Sequence, residues 1–304
     1  MVFWLTNIES LSINKTNLLT KPIDVGSSPY EGTSITPNED ATPTSTYSLQ
    51  TYATYTLGSY ASTGLTMDTA GNTYITADGG IYKCVPPSTV TSLGGGNSGV
   101  TIDSLGHLLT LQQTQVGSVV YWQIMNISGT AFSSAPVTGT PLALASDTSG
   151  NVYTLWMDND YSGTTYVSKT TQDGTTTLII TSTLGFNTLF VGGPSQHLYA
   201  TGTMDSSYTT SGVYEYDQSG TLISNTQLTS PPNYINSLAV MADGSYWLFT
   251  VDNDTNVNTA TLYDASRTMV TSFVTPTSAS AVVVRAGVVY MWSQASNLVS
   301  TLVS

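Results

Sequence analysis

Two stretches carry the side chains best suited to chemistry: Asp158-Asn-Asp160 and Asp252-Asn-Asp254-Thr-Asn256-Val-Asn258, with Asp205 at a matching place between them. Alternating Asp and Asn offer hard oxygen ligands of the kind Ca²⁺ takes, and Asp252, Asp254 and Asn256 form the natural set. Neither stretch has the glycine and distal glutamate of an EF-hand loop, and short Asp/Asn runs are also ordinary loop chemistry. A second use is acid–base work. Asp158, Asp160, Asp205, Asp252 and Asp254, if brought within reach of one another, could act as the carboxyl pair that cleaves a glycosidic bond. Tyr161, Tyr166, Tyr208 and Tyr234 fall in or near the same loops. A tyrosine ring stacks on the apolar face of a sugar while neighbouring Asn and Asp bond its hydroxyls. The expected ligand-binding set is therefore Asp158, Asp160, Tyr161, Asp205, Tyr208, Asp252 and Asp254, with a host surface glycan as ligand.

Other chemistry is thinly represented, and no residue is singled out as catalytic. His107 and His197 occupy equivalent places in two copies of a repeated turn, which a role in the turn explains, and two histidines without a third make a poor zinc site. Gly94-Gly-Gly96 lacks the following lysine and helix of a phosphate loop, and no Gly-x-Ser-x-Gly elbow occurs. Cys84 is the single cysteine, so no internal disulfide forms, and it reads as a small buried hydrophobe.

The elements that must position these residues are announced by a phrase recurring roughly every 45 residues: Asp68-Thr-Ala-Gly71-Asn72-Thr-Tyr74, Asp103-Ser-Leu-Gly106-His107 and Asp147-Thr-Ser-Gly150-Asn151-Val-Tyr153. Weaker copies lie at Gly193-Pro-Ser-Gln196-His197-Leu-Tyr199, Ala242-Asp-Gly244-Ser-Tyr-Trp247 and Ala286-Gly287-Val-Val-Tyr290. In the third copy the phrase separates an apolar run, 141–146, from Val152-Tyr-Thr-Leu-Trp-Met157. An alternating strand, 164–169, and a fourth, 175–180, follow across a tight turn. Four strands with hairpin turns make one blade of a β-propeller. The second copy should end on a strand at Thr130-Ala-Phe132. The sixth runs out after its third strand, 297–303, and residues 46–56, which have no blade of their own, are expected to supply the fourth. The fold class is thus all-β, a six-bladed propeller over 46–304 closed by an N-terminal strand swap, with seven blades the alternative. Residues 1–45 form an extended N-terminal arm and a Pro/Ser/Thr-rich linker.

The Asp-x-x-Gly-Asn-x-Tyr phrase resembles the repeats of NHL-type and related extracellular propellers. The resemblance covers residues 46–304 and implies a hairpin and a packing aromatic, with no active site attached. No blade signature of the WD40 kind is present.

Composition bounds the partners. Net charge is −13, with six Lys and Arg against nineteen Asp and Glu. That argues against nucleic acid, whose binding needs clustered cations. Charged residues are 8% of the chain, against roughly 25% in ordinary domains, so Ser, Thr, Asn, Gln and Tyr must hydrate the surface. Two arginines are too few for a cluster that grips a substrate carboxylate. No apolar run is long enough to span a membrane as a helix. Met1 opens a segment without signal-peptide pattern, while the composition looks extracellular. The two together give the expectation of a non-enzymatic protein of a virion surface or the extracellular space: a spike, turret or fibre component for attachment or decoration. Val2, Phe3, Trp4 and Leu5 would anchor it to other capsid or envelope proteins. The rival reading is a secreted polysaccharide-active hydrolase or lyase, or a calcium-stabilised carbohydrate-binding propeller. Asn14, Asn126 and Asn253 stand in glycosylation sequons.

Overall fold

The computed structural model describes residues 47–57, 64–77, 79–95, 97–116, 119–133, 139–158, 163–203, 211–227, 233–252 and 254–303. All lie in the unit Ser45–Ser304. The first strand, β1 (Ser48–Thr54), waits for a partner from the far end of the chain. Blade I is then β2 (Gly64–Met67), β3 (Thr73–Ala77), β4 (Gly80–Val85) and β5 (Thr89–Gly95). Blade II is β6 (Asn97–Ile102), β7 (Leu108–Val116) and β8 (Val119–Asn126). Blade III is β9 (Thr140–Ser146), β10 (Val152–Met157), β11 (Thr165–Thr170) and β12 (Thr176–Ser182). Blade IV is β13 (Phe186–Gly192), β14 (His197–Thr203), β15 (Ser211–Tyr216) and β16 (Leu222–Gln227). Blade V is β17 (Asn233–Val240), β18 (Tyr246–Asp252), β19 (Asn258–Tyr263) and β20 (Met269–Thr275). Blade VI is β21 (Ala281–Arg285), β22 (Val288–Ser293), β23 (Leu298–Val303) and, as its outer strand, β1.

All pairing within these sheets is antiparallel, and the innermost strands β2, β6, β9, β13, β17 and β21 neighbour one another in a closed ring. The chain is therefore an all-β, six-bladed propeller, and no helix occurs among the described residues. Closure comes from β1 on β23, with Ser48 opposite Val303 and Thr54 opposite Leu298. Blade II differs from expectation. Residues 130–132 form a single bridge, Met125 to Ala131, instead of a strand. The ladder stops because Phe132 N–H and Ser133 N–H both donate to the Ile124 carbonyl, at 2.8 and 3.3 Å.

The core is a set of seams between blades. Alternation along each strand gives two apolar faces, one per neighbouring blade. Tyr153, Leu155 and Val167 of blade III pack on Phe186, Leu189 and Leu198 of blade IV. Trp247, Phe249 and Ala260 of blade V pack on Ala279, Val282 and Met291 of blade VI. Tyr55 and Leu57, just beyond β1, join Ile75 and Cys84 of blade I and Trp292 of blade VI. Burial pushes the Cys84 thiol up to about 12, so it stays protonated as a small hydrophobe. The recurring aromatic is the seam anchor: Tyr153, Tyr199 and Trp247 are buried in successive seams.

Candidate functional site

Antiparallel blades sort the connections onto two faces. The repeated Asp-x-x-Gly turns join first to second strands and lie on one face, here the turn face. The links from second to third strands, which hold Asp158 and the 252–258 loop, emerge on the opposite, loop face.

The turn face is built for structure. Asp147 Oδ1 accepts the Ser149 and Asn151 backbone N–H groups at 2.9 Å each, and Oδ2 accepts Asn151 Nδ2 at 2.7 Å and the Tyr153 hydroxyl at 3.0 Å. Asp68 repeats the pattern with Asn72 and Tyr74. His107 Nδ1 lies 2.8 Å from Asp103 Oδ2, standing where the Asn amide stands elsewhere. In blade IV the turn has Gly193 in place of Asp, and the carboxylate comes from the facing strand instead: Glu215 lies opposite Tyr199. Glu215 Oε1 takes the Tyr199 hydroxyl at 2.9 Å and His197 Nδ1 at 2.8 Å, while Oε2 takes Ser224 Oγ at 2.8 Å and Arg267 from blade V. These donors, His197 first among those that lower it, outweigh burial and hold the Glu215 carboxyl well down, at about 2. Arg267 sits at φ 71°, the left-handed position that Gly174 and Gly220 hold in the preceding blades. A small cleft of about 150 Å³ opens beside this network.

The loop face is built differently. Along β13 and β17 the ladder slips between Phe186 and Thr188, and between Ile235 and Ser237. Each bulge leaves one extra residue, Asn187 and Asn236, and bulges re-aim such residues out of register. Both, with Ser280, line the central channel, which encloses about 700 Å³ between the six innermost strands. Asn187 is tied down: its Oδ1 accepts Thr201 Oγ1 at 2.7 Å and its Nδ2 donates to the Ile235 carbonyl at 3.3 Å. Beside the channel mouth a recess of about 470 Å³ sits over the seam between blades V and VI, lined by Asn236, Val251, Asn256, Asn258, Ser278, Ala279 and Ser280. Sequence reading passed over Asn187, Asn236 and Ser280, and named Asn258 only as the end of the acidic stretch. A signal was present, because Phe186-Asn-Thr-Leu189 and Ile235-Asn-Ser-Leu238 break their strands' apolar alternation in the same way.

Of the expected site residues, Asp252 and Asp254 share one loop. Asp252 Oδ1 accepts the Asp254 and Thr255 backbone N–H groups at 2.9 Å each, and the Asp252 carbonyl accepts Asn256 N–H at 2.7 Å. The Thr255 N–H foremost holds the Asp252 carboxyl below the usual range, so it is ionised. Asp254 is exposed, and its carboxylate has no hydrogen bond among the described residues. Asn256, at φ 56°, turns the chain from this loop into the recess wall. Asp158 lies on the same face but on blade III, where Tyr166 donates to its Oδ2 at 3.4 Å and stacks on Trp156 at 4.3 Å. Tyr234 is exposed near the start of β17. Asn126 caps a turn-face hairpin by accepting Ser128 N–H at 3.0 Å. Asp160, Tyr161, Asp205, Tyr208, Asn14, Asn253, Val2, Phe3, Trp4 and Leu5 lie outside the described residues. Among the described residues no three His, Cys, Asp or Glu side chains gather as a metal site. For calcium at Asp252, Asp254 and Asn256, the Asp252 Oδ1 is already engaged by the loop's own amides.

No known family model matches the chain, and no curated protein matches it. Solved structures do resemble it. Virginiamycin B lyase from Staphylococcus aureus superposes with a TM-score of 0.58 at 12% identity, over 85% of this chain and 99% of that one. A gluconolactonase from Xanthomonas campestris does so with 0.57 at 13% identity, over 80% and 86%. Raptor from Chaetomium thermophilum gives 0.52 at 10%, over 77% of this chain and 22% of its own. At such identity the likeness shows the fold. It also corrects the expectation of a non-enzymatic virion spike, turret or fibre protein. Structures that match over most of their own length include a lyase and a gluconolactonase, which favours the rival hydrolase or lyase reading over a virion role.

Proposed function

We propose that this chain is a hydrolase of a polysaccharide, working on the loop face beside the channel mouth. The observation that carries the reading is a shared wall: Asn256 belongs both to the loop bearing Asp252 and Asp254 and to the recess beside the channel. A chain laid in the recess would present a glycosidic bond to that loop. Hydrolysis adds water across the C–O bond, with one carboxyl group protonating the leaving oxygen and a second taking the proton from water. Asp252, held ionised, suits the base. Asp254, exposed on the same loop, is the second carboxyl group within reach.

Elimination is the weaker route. A lyase acts beside a carbonyl or carboxylate, and cations usually steady that charge. The four described cations lie toward the turn face: Lys83 and Lys169 stand opposite the seam tyrosines Tyr74 and Tyr153, Arg267 sits in a turn, and Arg285 ends β21. The fold likeness to a lyase and a lactonase supports enzymatic use of this architecture.

The test is a screen for new reducing ends over neutral and acidic polysaccharides. Asp254→Asn should lower turnover by about 10²–10⁴ while leaving thermal stability unchanged. Undiminished turnover in that variant, or products bearing an unsaturated sugar, would sink the reading.

A further inference from the structure

The recess over the blade V–VI seam exists because of one small residue. The same seam position, the residue just before the channel-facing Asn187, Asn236 or Ser280, is Phe186 in blade IV, Ile235 in blade V and Ala279 in blade VI. A phenyl ring closes the first seam, and a methyl group leaves the last one open to about 470 Å³. The residue on the outgoing third strand differs as well. In blade III it is Thr165, paired with Met157, and its Oγ1 donates to the Leu184 carbonyl at 2.8 Å, drawing the inter-blade link down over the seam. In blade V the equivalent residue is Asn258, paired with Val251. Asn258 shares a strand face with Ala260 and Leu262, which pack into the seam below it. Its Oδ1 is buried without a hydrogen-bond partner among the described residues, one of several such polar atoms but the one that lines the recess. A buried acceptor without a donor is costly, and native proteins rarely leave one without a purpose.

We propose that this recess is a recognition site for an uncharged sugar residue, with a ligand hydroxyl donating to Asn258 Oδ1. Asn236, Asn256, Ser278 and Ser280 complete the lining with amides and hydroxyls, each able to donate and to accept, which matches the two-way hydrogen bonding of a sugar hydroxyl. The apolar floor comes from Val251 and Ala279. The volume falls in the ordinary range for small-ligand sites. No charged side chain lines the recess, and the nearby carboxylates of Asp252 and Asp254 repel an acidic sugar. The inference places the substrate class as neutral glycan. It uses the same face as the hydrolase reading but not its chemistry.

The experiment is calorimetric titration of the full chain with neutral glucan, mannan and xylan oligomers, and with matched uronate oligomers, alongside turnover. Asn258→Leu removes the orphaned acceptor and fits the apolar seam, so its melting temperature should equal or exceed that of the parent chain. Its affinity for the neutral oligomer should fall at least about tenfold. Binding unaffected by Asn258→Leu, preference for uronates, or no neutral oligomer bound at all would overturn the assignment. So would stabilisation by Ca²⁺ that Asn258→Leu abolishes, since the recess would then be a cation site. The two readings separate cleanly. Binding through Asn258 without hydrolysis keeps the recess and removes the hydrolase; hydrolysis indifferent to Asn258→Leu does the reverse.

Discussion

Glu215 shows how single residues are reused in this chain. Its carboxylate does for blade IV what Asp147 and Asp68 do for their own turns, and additionally holds Arg267 of the next blade. The guanidinium also sits 5.6 Å over the Tyr199 ring and 5.3 Å over Tyr246, so the charge is shared between an ion pair and two aromatic faces. Because the folded-state pKa of Glu215 is depressed from 4.5 to about 2, its stabilisation is complete above pH 4.5 and is lost as pH falls through about 2. The stability gap between the parent chain and Glu215→Gln should shrink as pH falls from 4.5 toward 2. Chemical unfolding across that range measures it; a gap that widens in acid would refute the assignment. The sequence made the Asp, Asn and Tyr of the turn readable because they lie within six residues of each other. It hid Glu215, which replaces the missing turn Asp from 22 residues downstream, across a strand pairing.

At the scale of the element, regular features were legible and local irregularities were not. Turn glycines and apolar alternation located most strands, since period-two patterning and left-handed turn positions follow from backbone sterics. The bulges at Asn187 and Asn236 depend on pairing with β14 and β18, and no local propensity encodes them. Among the described residues blade II lacks the expected outer strand for the same reason: Thr130-Ala-Phe132 has strand composition, but Phe132 and the following Ser133 spend their N–H groups on one carbonyl. Blades also dock through turns. Gly220, at φ 88°, faces the Ile179 carbonyl of blade III so closely that a Cβ would overlap the oxygen. Gly220→Ala should therefore cost about 3–5 kcal/mol from clash and left-handed strain together. Gly106→Ala, with the same backbone sign and open space around it, should cost only about 1 kcal/mol. Thermal denaturation of the pair checks the contrast; equal losses would mean the inter-blade contact is unimportant.

For the whole molecule, the ring is as strong as the seam where its two ends meet. Tyr55, fully buried, follows β1 and fills the join between blades VI and I with Ile75, Trp292 and Val299. Tyr55→Ala should remove about 3–5 kcal/mol, as large buried aromatics do, and should broaden the unfolding transition because the ring opens there first. A sharp transition with little loss would place the weak point elsewhere. The same closure has a consequence for biosynthesis. Gln50 and Thr301, joined by a hydrogen bond at 3.4 Å, are 251 residues apart in the chain. β1 cannot take its place until β23, its partner in the closing pair, has left the ribosome. Throughout synthesis the nascent chain carries an unpaired edge at each end, so the expressing cell must shield a long-lived, strand-hungry intermediate, and yield on expression should track chaperone supply more closely than it tracks the stability of the finished ring.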